Sequence, residues 1–337
     1  MPLLVDRITA SDRPPAHADV VVIGGGIVGV SAALFLARRR HSVVLVEKGV
    51  VAGEQSSRNW GWVRQQNRDP HEIPLAQHSL RLWQQLSAET NEDLGFRRNG
   101  LVYVTRSQAD MALWERWRDI ARPMGVDTRM LGAAEAGAMA PGSREPWIGG
   151  VHSPTDGRAE PRQAAPALAR AAMRLGAVIV ENCAARGLEL QAGRVSAVVT
   201  ERGAIRTQAV ICAGGAWASM FCRHHGIKLP QASIRATSFR TSPLPALTSG
   251  GLSTPKFTLR RREDGGFSVG LSGRGRLEIT PQGLRYARDF WRFYLSRRDK
   301  VSLRLGRSFV EGSEAATRWS LDGPSPFERV RVLDPKP

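Results

Sequence analysis

Near the start of the chain, three glycines stand between a run of valines and a helical stretch, and this pattern limits the fold more than any other feature. Gly24, Gly26 and Gly29 form Gly-x-Gly-x-x-Gly directly after the valine-rich run 19–23. In such a motif the first glycine permits a tight turn, the second lets the backbone approach a pyrophosphate, and the third lets the helix lie close to the strand. The first turn of the helix presents unpaired N–H groups to anions. The pattern predicts a strand, a turn and a helix that bind a dinucleotide.

A second valine-rich run, 42–46, follows the helix predicted over 27–40 and completes a β-α-β unit. Glu47 ends this run, 18 residues after Gly29. A carboxylate at that place can accept hydrogen bonds from both hydroxyls of a ribose. Strands, glycines, helix and acid in register indicate a nucleotide-binding site more strongly than the glycines alone, although they do not choose between NAD and FAD.

Two further segments favour FAD over NAD. Residues 54–64 form a polar, glycine-containing stretch just past the second strand, where hydroxyls and amides could bind a second phosphate and a ribityl chain. Residues 209–217 form an apolar strand that ends in small residues, which lets a backbone lie against a cofactor. Because an ordinary NAD enzyme needs neither segment, the sequence predicts FAD.

Chain length and composition set the outer limits. With 337 residues, 42% of them apolar and 23% charged, the chain is long enough for one large domain or two interleaved ones and has a globular composition. Its three cysteines include no Cys-x-x-Cys pair, which argues against a disulfide framework and against a zinc site. We therefore expect no metal, and a reducing compartment, the cytoplasm.

The chain is strongly basic, with a formal net charge of +17. Its arginines lie in short scattered groups without a nucleic-acid-binding motif, so we expect solvated faces and no nucleic-acid partner. The uncharged stretch 20–37 is as long as the shortest membrane helices, but three consecutive glycines argue against a continuous helix there. No integral membrane segment is predicted, and residues 1–17 are expected to be a tail rather than a secretion signal.

Hydrophobic periodicity and turn residues predict the remaining elements. Helices are expected over 75–89, from Ser107 (with Asp110 as a capping box) to about 122, over 161–175 and over 284–298. Strands are expected over 101–105, 177–183, 195–201 and 209–212, and a hairpin over 257–260 and 267–271. This order predicts an α/β fold in which a Rossmann-like FAD-binding domain is interleaved with an α+β substrate domain built on a mixed or antiparallel sheet. The expected boundaries are 18–74 and 151–228 for the FAD-binding domain and 75–150 and 229–333 for the substrate domain.

Taken together, these segments resemble the D-amino-acid oxidase superfamily of FAD-dependent oxidoreductases, which includes glycine oxidase, monomeric sarcosine oxidase and D-amino-acid dehydrogenase. The matching pieces occur in family order over nearly the whole chain. They are 20–29 with Glu47 and Lys48, 56–64, Asp156 and Gly157 with Pro161, 177–185, 210–217, and the hairpin around Gly266. The resemblance is specific for the superfamily and not for a substrate.

The resemblance implies protein contacts along the whole cofactor. The positions are Gly24, Gly26, Ile27 and Gly29 at the FAD pyrophosphate, Glu47 and Lys48 at the adenosine ribose, Ser56 and Ser57 at the pyrophosphate or the ribityl chain, Arg58 and Asn59 near the flavin, Ala185 at the adenine, and Ala213, Gly214 and Trp217 along the cofactor channel.

The resemblance also implies FAD-dependent oxidation of the C–N bond of an amino acid or a secondary amine, with hydride transfer to flavin N5. The electron acceptor would be oxygen or a respiratory carrier. A substrate carboxylate suits the planar fork of an arginine. Arg64, at the end of the flavin-side segment, is the first candidate, and Arg260 is the second. Two alternatives stay open: the same fold oxidising a hydroxy acid or polyol phosphate, and a non-catalytic remnant or subunit.

The chain departs from the superfamily in two places. Family members usually continue with a strand, a glycine-rich turn and a helix near the flavin, whereas the family-like part here stops after 330–333. From this we expect a FAD-binding domain without its C-terminal part, weak FAD binding, and self-association through an exposed sheet edge. Sarcosine-oxidase-like members also carry a lysine beside the flavin, where this chain has Ser268, which favours a dehydrogenase over an oxidase.

Overall fold

The computed structural model describes residues 5–310, 312–316 and 319, which form nineteen strands and eight α-helices. The strands are β1 (Val20–Ile23), β2 (Val43–Val46), β3 (Trp62–Val63), β4 (Leu101–Thr105), β5 (Arg129–Leu131), β6 (Gly149–Ser153), β7 (Gly157–Arg158), β8 (Val178–Val180), β9 (Ala185–Gln191), β10 (Arg194–Thr200), β11 (Gly203–Arg206), β12 (Ala209–Cys212), β13 (Ile234–Arg235), β14 (Ser238–Arg240), β15 (Gly251–Ser253), β16 (Phe257–Arg261), β17 (Phe267–Leu271), β18 (Gly275–Ile279) and β19 (Val301–Leu305). The helices are α1 (Ile27–Arg38), α2 (Ile73–Thr90), α3 (Gln108–Ala121), α4 (Ala133–Met139), α5 (Pro161–Arg174), α6 (Ala218–His224), α7 (Pro281–Arg285) and α8 (Ala287–Arg297). None of the helices in the described residues is both long enough and apolar enough to cross a membrane.

The chain divides into two compact units, each assembled from separate stretches of sequence. Among the described residues, unit 1 contains those up to 58, then 165–235 and those from 275 onward, and unit 2 contains 59–164 and 236–274. The interleaved, mixed α/β fold expected from the sequence is confirmed. The units do not coincide with the expected boundaries: β3 and β7 pair with each other and lie in unit 2, whereas β13, β18 and β19 form one sheet and lie in unit 1.

Unit 1 is centred on a four-stranded parallel sheet in the order β12-β1-β2-β8. Every residue of β1 and β2 is buried, as expected for valine-rich strands covered on both faces. Val20 pairs with Val43 on one side and with Ala209 on the other, which aligns the ends of the three strands. The segments that follow β1, β2 and β12 therefore leave the sheet at the same edge.

Two smaller sheets complete the strands of unit 1. They are the antiparallel sheet β11-β10-β9 and the sheet β13-β18-β19. Val198 and Ile205 of the first join Val21 and Val44 of the parallel sheet in one hydrophobic core, so the two sheets pack against a common set of buried side chains. Strand β9 was not predicted, because its polar and charged residues obscure the apolar alternation that indicates a strand.

Unit 2 is built on a seven-stranded sheet in the order β14-β17-β16-β15-β4-β6-β5. Only the β15–β4 pair is parallel among these neighbours, so the expected mixed or antiparallel sheet is confirmed. On one face of the sheet, Val102, Leu131 and Leu252 form a core with Ala136 of α4 and with Trp147. The predicted hairpin is present as β16 and β17.

Two local expectations need correction, and a third falls on residues outside those that the structure describes. The helix expected over 284–298 is two helices, α7 and α8, which meet at the buried Tyr286. The capping box at α3 is half formed: Ser107 Oγ accepts a hydrogen bond from Asp110 N at 3.4 Å, whereas the Asp110 carboxylate accepts one from Thr105. The expected last family-like stretch, 330–333, lies outside the described residues.

Two tryptophans of unit 2 lie against glycines of the sheet. A Cβ on Gly270 would come within 2.9 Å of the Trp60 ring, and a Cβ on Gly251 within 3.1 Å of the Trp62 ring. The two rings meet edge to face with their centroids 5.7 Å apart. A glycine inside a strand often marks a close approach by another group. Because Gly251 and Gly270 lack side chains, the segment around β3 can pack directly on the sheet.

We predict that Gly270→Ala lowers the free energy of unfolding by about 1–3 kcal/mol, because the added methyl group forces Trp60 off the sheet. Urea titrations followed by circular dichroism measure the change. The control is Gly137→Ala in α4, where a Cβ would meet nothing within 4 Å and alanine should add about 0.5–1 kcal/mol. Equal effects of the two substitutions would contradict the close approach of Trp60.

Candidate functional site

The glycine motif is held by backbone contacts that leave no space for a side chain. Gly24 follows β1 with a φ of +110°, and a Cβ on it would lie 2.4 Å from the carbonyl oxygen of Ala213. A Cβ on Gly29 would lie 1.9 Å from the carbonyl oxygen of Gly24. Both distances fall inside the hard-sphere limit, so the turn and the close approach of α1 to β1 require glycine.

The N-terminus of α1 meets the polar segment that follows β2. Gly26 is the N-cap of α1 and supplies no side-chain cap. Instead, Ser56 Oγ accepts a hydrogen bond from Ile27 N at 2.9 Å, and a Cβ on Gly26 would come within 3.1 Å of that oxygen. Backbone N–H groups and a hydroxyl thus gather where a helix start can bind an anion.

Glu47 is fixed beside the glycine turn by backbone donors. The residue is 8% exposed, and its carboxylate accepts hydrogen bonds from Gly25 N at 2.6 Å and from Gly49 N at 2.8 Å. Burial raises the pKa of Glu47 above its ordinary value, while the two N–H donors oppose that rise. An oriented carboxylate at the end of the second strand is the arrangement that can accept hydrogen bonds from a ribose diol.

Lys48 and Trp217 meet beside Glu54. The Lys48 ammonium lies 2.5 Å from Glu54 Oε1 and 4.2 Å from the centroid of the Trp217 ring. An ammonium over an indole face is attracted by the ring quadrupole. The contact joins the residue after Glu47 to the 3₁₀ turn after β12, so two candidates from distant parts of the sequence are brought together.

The remaining candidates of unit 1 lie at strand ends and in turns. Ala213 N donates to Ile23 O at 2.8 Å, Gly214 precedes the 3₁₀ turn Gly215–Trp217, Ala185 begins β9, Ser57 Oγ donates to Glu54 O at 3.2 Å, and Arg58 Nη2 donates to Gly53 O at 3.4 Å. Unit 1 therefore contains every candidate from the glycines to Arg58 and from Ala185 to Trp217.

Unit 2 contains Asn59, Arg64 and Arg260. Asn59 Oδ1 accepts a hydrogen bond from Gly61 N at 2.7 Å and closes the turn before β3. Arg64 is half-buried, and its Nη1 donates to the carbonyl oxygen of Gln66. A guanidinium has five N–H donors, so a contact to one carbonyl does not exhaust its capacity to bind an anion.

Arg260 is ion-paired with a buried acid. Its side chain is 1% exposed, and its Nη1 lies 2.8 Å from Glu160 Oε1. Its Nη2 donates to Ser268 Oγ at 3.2 Å. Burial lowers the pKa of the Arg260 guanidinium, and the Glu160 carboxylate opposes that change. Arg158 shares this carboxylate, with its Nη1 3.3 Å from Glu160 Oε1, and its Nη2 lies 2.9 Å from Glu263 Oε1. The two buried guanidiniums therefore face two carboxylates, which compensate charges that a lone buried ion could not sustain.

Two buried acids of unit 2 were not predicted as site residues. Asp156 accepts hydrogen bonds from the backbone of Gln65 and Gln66, and Glu160 binds Arg260. The sequence shows the first only as half of an Asp-Gly pair and the second only as the residue before a proline that starts a helix. These patterns predict a turn and a helix start rather than a buried acid, so only the fold reveals the two anchors.

Metal and thiol chemistry find no assembled site in the part of the chain that the structure describes. There, no group of three or more His, Cys, Asp or Glu side chains is placed to hold a metal ion. Cys183, Cys212 and Cys222 are free thiols, and burial raises the pKa of Cys212 to about 11.

These features together form a dinucleotide site. It consists of a glycine turn without room for side chains, a helix N-terminus in contact with a serine, and an oriented acid after the second strand. Comparison with protein families agrees: residues 19–323 match the family of FAD dependent oxidoreductases, DAO. The chain belongs to this family. FAD is its cofactor, and the described residues of unit 1 fit it, because the motif glycines leave a backbone-lined turn and Glu47 presents a fixed carboxylate beside it.

Three relatives show the extent of the likeness. Sarcosine dehydrogenase from mouse mitochondria is 30% identical over 228 residues, which are 65% of this chain and 25% of the relative. Sarcosine oxidase subunit beta from Arthrobacter is 29% identical over 248 residues, 71% of this chain and 59% of the relative. The solved L-amino acid deaminase of Proteus myxofaciens, in complex with anthranilate, gives a TM-score of 0.89 at 29% identity and covers 96% of this chain and 74% of that one. The chain spans a quarter to three fifths of the length of these curated relatives.

We predict that Gly29→Ala costs about 3 kcal/mol of unfolding free energy and prevents FAD binding, because the new methyl group collides with the Gly24 carbonyl. Chemical denaturation measures the first effect, and flavin retained after gel filtration measures the second. The control in the same helix, Ser31→Ala, should leave both unchanged or improved, since alanine favours helices. A Gly29→Ala chain that keeps its flavin would disprove the backbone contact.

Proposed function

We propose that this protein is a FAD-dependent enzyme that oxidises the C–N bond of an amino acid or a secondary amine. The observation that carries the proposal is the set formed by the glycine turn, Ser56 at the start of α1 and the buried Glu47 carboxylate. Its family membership supports a redox reaction, and the relatives reported above are named for sarcosine or L-amino acids.

The residues of unit 1 would hold the cofactor in the order that the resemblance implies. The motif glycines and Ser56 would bind the pyrophosphate, Glu47 would accept hydrogen bonds from the adenosine ribose, and Lys48 would lie next to it. Ala185 would offer its backbone to the adenine, and Ala213, Gly214 and Trp217 would line the cofactor channel. Ser57 would face the pyrophosphate or the ribityl chain, and Arg58 and Asn59, the latter in unit 2, would lie near the flavin. FAD, when bound, supplies a hydride acceptor for the C–H bond next to nitrogen.

An arginine would bind the substrate carboxylate and so orient the C–H bond. Arg64 is the preferred residue, because the residue is only half-buried and its described contact is to a neutral carbonyl oxygen. Arg260 stays the second candidate, since Glu160 already balances its charge and its side chain is almost fully buried. Binding by a planar fork fixes both distance and direction, which a single point charge does not.

The proposal is tested with the full chain loaded with FAD. We expect a flavin absorbance spectrum, bleaching of that spectrum by sarcosine or an L-amino acid, and release of formaldehyde or ammonia in the presence of an electron-accepting dye. Comparing oxygen with the dye identifies the acceptor, and gel filtration tests the predicted self-association. Binding of NADH without FAD, or bleaching by hydroxy acids alone, would overturn the proposal.

Glu47→Gln should raise the dissociation constant of FAD about tenfold or more near neutral pH, because the ribose hydroxyls lose a charged acceptor and one of the N–H groups of Gly25 and Gly49 loses its partner. In the unchanged chain, affinity should fall as the pH drops through the raised pKa of Glu47, since only the carboxylate accepts from both hydroxyls. The variant should lack this part of the pH dependence. Flavin fluorescence titrations between pH 8 and 5 measure both, with the exposed Glu189→Gln as the control. Parallel pH curves would argue against Glu47 at the ribose.

Arg64→Ala should raise the KM for amino acids by about tenfold or more and leave the KM for the matching amine without a carboxylate nearly unchanged. Arg64→Lys should restore only part of the preference, because an ammonium cannot form two parallel hydrogen bonds. Steady-state kinetics with sarcosine and dimethylamine, and with alanine and ethylamine, separate the two effects. The matched control is Arg116→Ala on the exposed face of α3. An Arg64→Ala enzyme that still prefers the carboxylate-bearing substrate would shift the role to Arg260.

A further inference from the structure

The segment that carries Arg64 is held by a buried acid that no proposed step has used. Asp156 has 0% exposure, and its Oδ1 and Oδ2 accept hydrogen bonds from Gln65 N at 2.8 Å and Gln66 N at 3.0 Å. Gln65 Nε2 adds a longer contact to Oδ1 at 3.4 Å. Both carboxylate oxygens are therefore committed to the backbone of the two residues that follow Arg64.

Gln66 links this anchor to the arginine. The Arg64 guanidinium donates to the carbonyl oxygen of Gln66, the residue whose N–H group Asp156 binds. The Gln66 side chain is itself fully buried, and its Oε1 accepts hydrogen bonds from Thr128 Oγ1 at 3.0 Å and from Ser153 Oγ at 2.5 Å. The acceptor that orients Arg64 is thus fixed through both its backbone and its side chain.

Electrostatics agree with this placement of the guanidinium. Burial raises the pKa of Asp156, and the backbone donors and the charge of Arg64 oppose that rise. Burial likewise raises the pKa of the Tyr103 phenol, and the charge of Arg64 again opposes it. Arg64 therefore lies within electrostatic reach of both groups, on the side of the β3–β7 ladder where Asp156 precedes β7.

We infer that Asp156 is a positioning residue that sets the direction of the Arg64 guanidinium toward the substrate carboxylate by holding the backbone of Gln65 and Gln66. The inference rests on the proposed function, since it gives the Arg64 fork a carboxylate to bind. The inference depends on the hydrogen-bonding groups of the side chain. A carboxylate offers two acceptor oxygens to two neighbouring N–H groups, whereas an amide offers one acceptor and one donor group. In Asp156→Asn, one N–H of the segment must lose its partner, and the carbonyl bound to Arg64 moves with it.

The test uses the FAD-loaded chain and benzoate, a carboxylate without an amine, with neutral benzamide for comparison. Isothermal titration calorimetry should show that Asp156→Asn weakens benzoate binding about tenfold, the loss expected for one misdirected charge-assisted hydrogen bond, and leaves benzamide binding unchanged. The matched control is Asp264→Asn, since the partly exposed Asp264 also accepts a hydrogen bond from a backbone N–H, that of Gly266, but lies in the β16–β17 turn.

A double-mutant cycle distinguishes positioning from general damage. If Asp156 acts through Arg64, Asp156→Asn should have no further effect on benzoate binding in an Arg64→Ala background; a structural role elsewhere would give additive losses. Should Asp156→Asn not fold, Asp156→Glu replaces it in the same cycle, with a smaller loss of about threefold expected, because the carboxylate is kept but displaced. Unchanged benzoate affinity in the folded variant, or additive losses, overturns the inference. Failure of the unchanged chain to bind benzoate contradicts the proposed carboxylate binding itself.

Discussion

A contact between backbone atoms at the end of β1 determines the arrangement of unit 1. Because a Cβ on Gly29 would lie 1.9 Å from the Gly24 carbonyl oxygen, α1 can lie against β1 at backbone distance only while both residues are glycine. The carbonyl oxygen of Ala213, just after β12, also approaches Gly24 closely. The helix start is thereby fixed at the sheet edge where β2 delivers Glu47 and the following turn delivers Ser56. Dinucleotide recognition depends on this packing before it depends on any side chain.

Elements with a strong local signal could be read from the sequence to within a few residues. The runs predicted at 19–23 and 209–212 correspond to β1 and β12, and the helix predicted from 161 is α5. Buried valines and a proline at a helix start carry that information locally. The division into units could not be predicted in the same way, because tertiary packing decides which unit a segment such as β3 joins and leaves no local pattern in the sequence.

The candidate site likewise contains residues that a local sequence pattern predicts and residues that only the fold identifies. Gly24, Gly29 and Glu47 are readable because a phosphate-binding turn demands fixed spacing between strand, glycines and acid. The choice among 43 arginines is not readable, because what separates Arg64 from Arg260 is burial and the charge of a partner about a hundred residues away. The short contact between Lys48 and Trp217 is a similar case: residues named for different parts of the cofactor meet only after the sheet aligns β2 with β12.

Buried acids that bind backbone N–H groups recur in both units. Glu47 holds Gly25 and Gly49, Asp156 holds Gln65 and Gln66, and burial raises the pKa of both acids. A group whose pKa rises on folding binds its proton more tightly in the folded chain, so the free energy of unfolding falls as the pH rises from the ordinary pKa through the raised one. Above that pH range, each ionised carboxylate lowers the free energy of unfolding. Folding alone would favour a neutral side chain at these places, and what the charge provides is two acceptors aimed at neighbouring backbone donors, which fixes the segments that carry the proposed ribose and carboxylate contacts.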